Sequence, residues 1–552
     1  MSPATPCLHS SRYPRVDLPA LSLPDFVLAN AAARGERPAL VDAASGRTLT
    51  YGELSRQVAQ LAASLLARGA RVGEVFGLLM PNQPEYAVAF LGAVRAGGVV
   101  TTINPGYTAG EVQRQLLDSG ATRLCTVAAF LETALAAVAG TRVIELVVAG
   151  ADAPTLASAV QAARTAGRAV PAVTALEVLV RAPSGDTAAT ATATATVTAA
   201  ALPTRTPRDL IALPYSSGTT GISKGVMLTH GNLVANLVQI ESVVPLREGD
   251  VMMAVLPFFH IYGLTVILLG GLAKGATVVT MPRFDLEGFL RAHQKYRITH
   301  TYVAPPIVVA LAKHPMVDQF DLGALRFMLS GAAPLSADVA AEAGRRIGVE
   351  IVQGYGMTEL SPVTHFTPQG HNRPGSAGLA VPNTECRIVD PVSGESLGPD
   401  REGELWIRGP QVMAGYLNNP EATAATLDAD GWLHTGDIAR IDAGGYVYLV
   451  DRLKELIKYK GFQVPPAELE ALLLTHPAVA DAAVVGEPDE EAGELPIGFV
   501  VLKPGATTSA DELRAFVAGQ VAHYKQLRRI TFIDVVPKSA SGKILRRELR
   551  RR

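Results

Sequence analysis

Five short stretches of the chain gather hydroxyls, glycines, carboxylates and lysines at spacings suited to handling phosphate esters. Residues 215–226 read YSSGTTGISKGV directly after the strand-like DLIALP. Backbone N–H groups of such a loop, together with Ser216, Ser217, Gly218, Thr219, Thr220 and Lys224, can wrap an anion. The stretch is not a Walker A loop, because Gly225 and not Ser or Thr follows Lys224. A polar surface loop of turn formers would have the same composition.

The second stretch, QGYGMTE, runs from Gln353 to Glu359 behind the strand-like VEIVQ. Gly354 and Gly356 would let a ligand approach the backbone around Tyr355, whose ring could stack on a base. Thr358 offers a hydroxyl, and Glu359 a hard oxygen suited to Mg²⁺. An ordinary β-turn with an exposed Glu is the alternative. In the third, WLHTGD, Asp437 stands where a carboxylate could accept two ribose hydroxyls, or simply serve as a turn residue. The fourth, DRLKELIKYKGFQ, clusters Arg452, Lys454, Lys458 and Lys460, which also suits a solvated basic face. In the last, PKSASGKILRR, Lys543 follows a Ser-Gly turn able to present its ammonium on a mobile loop. A basic tail without specific contacts is the other reading.

These stretches need strand ends to hold them, and the sequence offers strands. Runs such as VFGLLMP, EYAVAFLGAVRAG and GVVTTINP alternate β-branched with Ala/Leu-rich segments, as βαβ units with parallel sheets do. A second α/β layer is expected to begin at DLIALPYSS and to continue through GATVVTMP, ITHTYVAPP and LRFMLSGAAP. Between the two layers, residues 183–207 form an Ala/Thr tract without apolar period, read as a surface insertion or linker. From Glu385 the strands shorten and turn signals multiply, which predicts a mostly β subdomain. From about Asp451 helix and strand alternate again. The expected fold is therefore α/β: a large N-terminal domain of α/β layers plus a β subdomain over residues 1–450, and a small mobile α+β domain over 451–552.

Composition narrows the class. A chain of 552 residues with 48% hydrophobic and 18% charged residues has ample material for large cores. Lys plus Arg total 49 against 51 Asp plus Glu, so the net charge of -2 gives no long-range attraction for nucleic acid. Cys7, Cys125 and Cys386 are too few and too scattered for a disulfide framework or a zinc site, and they fit a reducing compartment. The first twenty residues lack a signal-peptide pattern, so a cytoplasmic location is expected. Residues 251–273 carry no formal charge and are long enough to span a bilayer. Pro257, His260, Gly263, Gly270 and Gly271 interrupt them, and they read as a buried strand, a turn and a core helix.

Taken together, from LTYGEL near Leu49 to Arg547, the motifs resemble the adenylate-forming acyl-CoA synthetase superfamily. PFFHIYGL and GMTELSPVTH place the resemblance in its 4-coumarate:CoA ligase and luciferase-like branch. One departure is that Ser223 precedes Lys224 where the family usually has Pro. The resemblance implies an enzyme that joins a carboxylic acid to ATP as an acyl-adenylate and then passes the acyl group to coenzyme A. A 4-coumarate or cinnamate-type acid is the first expectation and a medium-chain fatty acid the second. Loading of a carrier-protein thiol and a non-catalytic nucleotide-binding role are the remaining alternatives. By the same resemblance, Lys543 stabilises charge between carboxylate and α-phosphate, Glu359 holds Mg²⁺, and the loop at 216–224 cradles the β- and γ-phosphates. Thr358 meets the α-phosphate, Asp437 and Arg452 take the ribose, and Gly331, Ala332 and Ala333 with Gln353, Gly354, Tyr355 and Gly356 border the adenine. His260, Ile261, Tyr262, Gly263, Gly331, Pro362 and Val363 surround the acyl group. Lys454 is the hinge about which the C-terminal domain pivots to bring Lys458, Lys460 and Gln463 to the site for the second step.

Overall fold

The computed structural model describes residues 8–181, 202–216, 223–460, 462–489, 491–539 and 542–550. Helices begin where their sequences supply caps. Thr50 and Glu53 form a reciprocal capping box for the helix Tyr51–Ala67, and Thr108 with Glu111 does the same for Ala109–Ser119. Pro84 opens Pro84–Arg95 at its first turn, where a missing N–H costs nothing. Apolar side chains of Tyr51–Ala67 and Pro84–Arg95 enter one continuous core shared by two large sheets.

The first sheet runs Ala172–Ala175, Glu145–Ala149, Arg123–Val127, Val75–Leu79, Val99–Ile103 and Leu210–Ala212 in parallel, then Lys224–Thr229 and Tyr215–Ser216 antiparallel. The second sheet has the order Leu379–Ala380, Val363–Phe366, Ile351–Gly356, Phe327–Ser330, His300–Val303, Val251–Ala254, Thr277–Thr280, Pro38–Asp42 and Thr48–Thr50. Two α/β layers are thus present, but the chain divides between them differently from expectation. Leu210–Ala212 completes the first sheet, pairing Val100 with Ala212, whereas Pro38–Asp42 belongs to the second beside Val278–Thr280. Alternation along the sequence reveals strands but not which sheet each joins. The end of the Ala/Thr tract is packed: Leu202 lies against the main core and Arg205 pairs with Asp209, while residues 182–201 fall outside the described residues.

The β subdomain is an antiparallel sheet of Glu385–Val389, Gly403–Arg408, Leu433–Ile441 and Val447–Arg452, with Ser396–Leu397 and the N-terminal His9–Ser10 at its edge. Asp451 and Arg452 sit inside this sheet, opposite Ile438 and Asp437, although the expected boundary at 450 would assign them to the C-terminal domain. The C-terminal domain is α+β: Ile457–Tyr459, Phe462–Val464, Val479–Asp489, Gly493–Leu502 and Arg529–Phe532 form its sheet, covered by Pro466–Thr475 and Ala510–Ala518.

Residues 251–273 form a strand, a loop and the π-helix Tyr262–Leu269, as expected for buried core. Among the described residues no helix is long and apolar enough to cross a membrane. The loop before that helix is pinned between the sheets. Asn82, at the end of a first-sheet strand, donates to the carbonyls of Ala254 and Leu256 and accepts the Phe258 N–H at 2.7 Å. Thr102 holds the Phe259 carbonyl at 2.7 Å.

In this setting Gly263 cannot be a gauge of acyl size. A Cβ there would lie 2.2 Å from the Pro257 carbonyl oxygen and 2.8 Å from that of Leu256, both backbone atoms that cannot swing aside. The glycine exists so that the π-helix can lie on the loop that leads into it. Gly263→Ala is therefore expected to destabilise the protein by about 1–3 kcal/mol through overpacking. Urea unfolding would show a lowered midpoint, while the ranking of accepted acids stays that of the parent.

Candidate active site

In the second sheet, Val251–Ala254 has Thr277–Thr280 on one side and His300–Val303 on the other, so the chain reverses its winding direction there. Such a switch point leaves a crevice beyond the C-terminal strand ends, where ligands of open α/β sheets bind. Three expected site segments and one not expected, Ala304–Pro306, emerge at that edge. The PFFHIY loop follows Ala254, Gly331–Ala333 follow Ser330, residues 354–359 close Ile351–Gly356, and Ala304–Pro306 leave Val303.

Lys543 reaches this crevice from the C-terminal domain. Its loop is braced internally, with the Ser539 N–H donating to the Lys543 carbonyl at 2.8 Å and the Gly542 N–H to the Ser539 carbonyl at 2.9 Å. Gly542, at φ 82°, rests on Ala304 and Pro306, since a Cβ there would stand 3.2 Å from the Ala304 methyl. The side chain is partly buried, near Arg452, Asp437, Glu359 and His260. Burial and then the Arg452 guanidinium lower its pKa to about 8, against the opposite pull of Asp437 and Glu359. Burial, aided by Lys543, pushes His260 down to about 3, so its ring is neutral near pH 7. His260 Nδ1 accepts the Tyr262 N–H at 3.2 Å.

Asp437 is held from two sides. Arg452 Nε lies 3.3 Å from one carboxylate oxygen, and the Tyr355 hydroxyl donates to the other at 2.6 Å. Glu359, on the short turn Thr358–Leu360, is buried, and its Oε1 accepts the Tyr416 hydroxyl at 2.8 Å. The Lys224 ammonium stands 4.7 Å from the centre of the Tyr416 ring, and Ser216 lies opposite Lys224 at the base of a hairpin. Ser217, Gly218, Thr219 and Thr220 fall outside the described residues. Tyr416 carried no local sequence signal. Only the long-range bridge between Val226 and Tyr416 brings its ring beside Lys224.

Several expected site residues also make framework contacts. A Cβ at Gly354 would meet the His365 carbonyl at 3.1 Å, and at Gly356 the Pro362 carbonyl at 2.0 Å. The close approach these glycines permit is to the neighbouring strand. Gln353 Oε1 accepts the Leu335 N–H, propping the loop in which Ala332 adopts φ 71°. In the acyl region Ile261, Tyr262 and Pro362 are buried, and Asn236 clamps Val363 through both its N–H and carbonyl. The Tyr262 ring lies on Gly331, 3.1 Å from where a Cβ would stand, and packs edge-on against Tyr302. Lys458, Lys460 and Gln463 are exposed on the C-terminal hairpin, Lys460 paired with Glu491 at 2.8 Å. Lys454 is exposed in the turn between the domains. This arrangement brings Lys543 to the crevice and leaves the KYKGFQ hairpin outside it.

A tight protein cage for a metal is absent among the described residues. One buried carboxylate oriented by Tyr416 fits Mg²⁺ that keeps water and phosphate oxygens as its other ligands. Cys125 and Cys386 are free thiols, both pushed up to about 12 by burial, and so are unsuited to nucleophilic roles.

The chain matches the AMP-binding enzyme family over residues 27–417 and the AMP-binding enzyme C-terminal domain over residues 468–543, and it belongs to that family. It is 43% identical to 4-coumarate–CoA ligase 5 of Oryza sativa subsp. japonica, over 98% of this chain and 96% of that protein. It is 41% identical to 4-coumarate–CoA ligase 1 of Petroselinum crispum, over 100% and 98%. Among solved structures, the anthranilate CoA ligase AuaEII in complex with anthranoyl-AMP superposes with a TM-score of 0.84 at 28% identity, covering 97% of this chain and 98% of that one. A benzoate CoA ligase from Burkholderia xenovorans LB400 gives 0.81 at 27% identity, covering 96% and 100%. The chain is an AMP-forming acid–CoA ligase with ATP and CoA as co-substrates and Mg²⁺ accompanying the nucleotide.

The Lys543 environment sets a pH dependence. The ammonium is charged below its pKa of about 8 and loses its proton as pH rises through that value. If the charge is needed, kcat/KM for ATP in pyrophosphate release will fall above pH 8, and kcat will fall at higher pH because bound phosphates favour the ammonium. In Lys543→Arg the residual activity should show no such alkaline limb, because a guanidinium stays charged.

Proposed function

We propose that this ligase activates a 4-hydroxycinnamate-type acid, with the residues around Lys543 performing adenylation and the KYKGFQ hairpin serving thioester formation. The observation that carries the acid class is Tyr262: its hydroxyl is buried without a partner and lies against Gly331 in the acyl region. A buried unpaired hydroxyl costs about 1–3 kcal/mol. An aromatic acid bearing a polar group can recover that cost, and a saturated alkyl chain cannot. The named activity of the 4-coumarate–CoA ligase relatives supports the same class. The free thiols of Cys125, half-buried, and Cys386, buried, also fit a reducing, cytoplasmic setting.

The first step brings a carboxylate anion to a polyphosphate, and the charge set of the crevice answers that repulsion. Lys543 lies where it can stabilise negative charge on both partners. Lys224, with Ser216, Ser217, Gly218, Thr219 and Thr220, would hold the β- and γ-phosphates, and Thr358 the α-phosphate. Asp437, oriented by Arg452 and Tyr355, would accept the ribose hydroxyls, with Gly331, Ala332 and Ala333 beside the adenine. Glu359 would hold Mg²⁺, which supplies charge neutralisation at the phosphate oxygens. Neutral His260, at the mouth of the PFFHIY loop, borders the acyl group with Ile261, Pro362 and Val363. Lys543 then occupies the space a thiol must cross, so the C-terminal domain over about 453–552 would pivot at Lys454 and exchange Lys543 for Lys458, Lys460 and Gln463.

An AMP-release screen over hydroxylated, unsubstituted and aliphatic acids, with and without CoA, tests the acid class. 4-Hydroxycinnamates should give the highest kcat/KM, and Tyr262→Phe should narrow their lead over cinnamate. A medium-chain fatty acid ahead of every aromatic acid would refute the reading. The roles in the two steps separate by half-reaction. Lys543→Ala should slow adenylation by at least about a hundredfold, the usual loss for one preorganised charge, and should spare transfer from presynthesised acyl-adenylate. Lys454→Pro, which fixes φ at the hinge, should do the reverse. Equal losses in both halves for Lys454→Pro would mean that no pivot operates there.

A further inference from the structure

Asp451 divides its backbone and side chain between the two domains. Its backbone is part of the strand Val447–Arg452, paired opposite Ile438 inside the β subdomain. Its side chain points the other way along the chain's path. Oδ2 accepts the Ala467 N–H at 2.8 Å, in the first turn of the C-terminal domain's helix Pro466–Thr475, and Oδ1 accepts the Arg452 N–H at 2.7 Å. A carboxylate on the N–H groups of a helix start gains both a charge-assisted hydrogen bond and the favourable end of the helix dipole.

The same carboxylate faces Arg546, three residues beyond Lys543. Arg546 donates to both oxygens of Glu470, at 2.8 Å each, and to the Val484 carbonyl at 3.1 Å. The Asp451 carboxylate is 9% exposed and Glu470 8%, so this cluster lies inside the protein. Lys543, Arg546, Glu470 and Ala467 all follow the hinge, and Asp451 precedes it. Rotation about Lys454 would carry the first four away together and leave Asp451 behind.

We propose that Asp451 is a positioning residue for adenylation: a cross-hinge latch whose hydrogen bond from the Ala467 N–H, supported by the nearby charge of Arg546, holds the C-terminal domain in the orientation that places Lys543 in the crevice, and which must open for thioester formation. This rests on the pivot proposed above. Asp451 touches neither substrate and works through Arg546 and the helix start. It therefore favours one of the two orientations and is neutral to the chemistry in either.

The test uses the full-length enzyme and measures the half-reactions separately: pyrophosphate release on mixing acid and ATP, and acyl-CoA formation from presynthesised acyl-adenylate. Asp451→Ala should slow the first on the order of tenfold, the size of one charge-assisted hydrogen bond, and leave the second unchanged or faster. Asp451→Asn keeps the shape and an acceptor for the Ala467 N–H but not the charge, so it should fall between Asp451→Ala and the parent. If Asp451→Ala does not fold, judged by its melting transition, Asp451→Asn decides alone. Parallel loss in both half-reactions by a folded variant, or no loss in adenylation, overturns the latch. If Lys454→Pro separates the half-reactions while the Asp451 variants do not, the latch alone fails; if Lys454→Pro does not separate them, the pivot fails with it.

Discussion

An ammonium held near a guanidinium in a partly enclosed crevice is the interaction around which this molecule is arranged. Lys543 is partly buried near Arg452, two like charges whose repulsion is countered by Asp437 and Glu359. Neither carboxylate is uncommitted. Asp437 is shared with Arg452 and Tyr355, and Glu359 accepts from Tyr416. Lys224, over the Tyr416 ring, adds a third cation against these two acids, so the crevice holds an excess of positive charge, which is the condition a polyphosphate and a carboxylate together relieve.

The scaffold explains how such a cluster can be held. The loops that border it leave strand ends of one sheet, and Asn82, from the other sheet, ties down the segment that leads to His260. Rigid strands fix the backbone, and buried side-chain amides fix the loops: Asn82 at the PFFHIY segment, Asn236 at Val363, Gln353 at the adenine-side loop. Each amide has its partners within the fold, so none of the three depends on a ligand to be oriented.

The chemistry-bearing loops were legible in the sequence because each follows a β-branched run and carries residues with a direct chemical reason to be there: Glu359, Asp437, Lys543. What surrounds them was not. Tyr416 acts through a pairing across nearly two hundred residues, and Pro38–Asp42, with its hairpin partner Thr48–Thr50, joins a sheet whose remaining strands begin more than two hundred residues later. The glycines misled in a specific way. A motif shows that the backbone comes close to something at Gly263, Gly354 and Gly356, but only the packing shows that the neighbour is another stretch of backbone. Gly331 differs, since its missing Cβ makes room for the ring of Tyr262.

The energetics of the C-terminal domain follow from the same buried ammonium. A drop from the ordinary lysine value of 10.5 to about 8 corresponds to a cost on the order of 3 kcal/mol for keeping Lys543 charged in the crevice near neutral pH. Among the described residues, the contacts that accompany docking include the Gly542 loop on Ala304 and Pro306 and the Asp451 carboxylate on the start of the helix Pro466–Thr475. The charge-assisted hydrogen bond and the apolar contact work against that penalty. If the domain pivots as proposed, its two orientations would respond to any ligand with a preference for one of them. Phosphate and carboxylate anions convert the ammonium from a burden into a partner and so favour docking. In the proposed pivot, once the acyl group is joined to AMP and pyrophosphate departs, the negative charge in the crevice would fall, and the original penalty would again favour withdrawal of Lys543. The partly buried lysine would then supply both the attraction that closes the site on its substrates and the repulsion that opens it to the thiol.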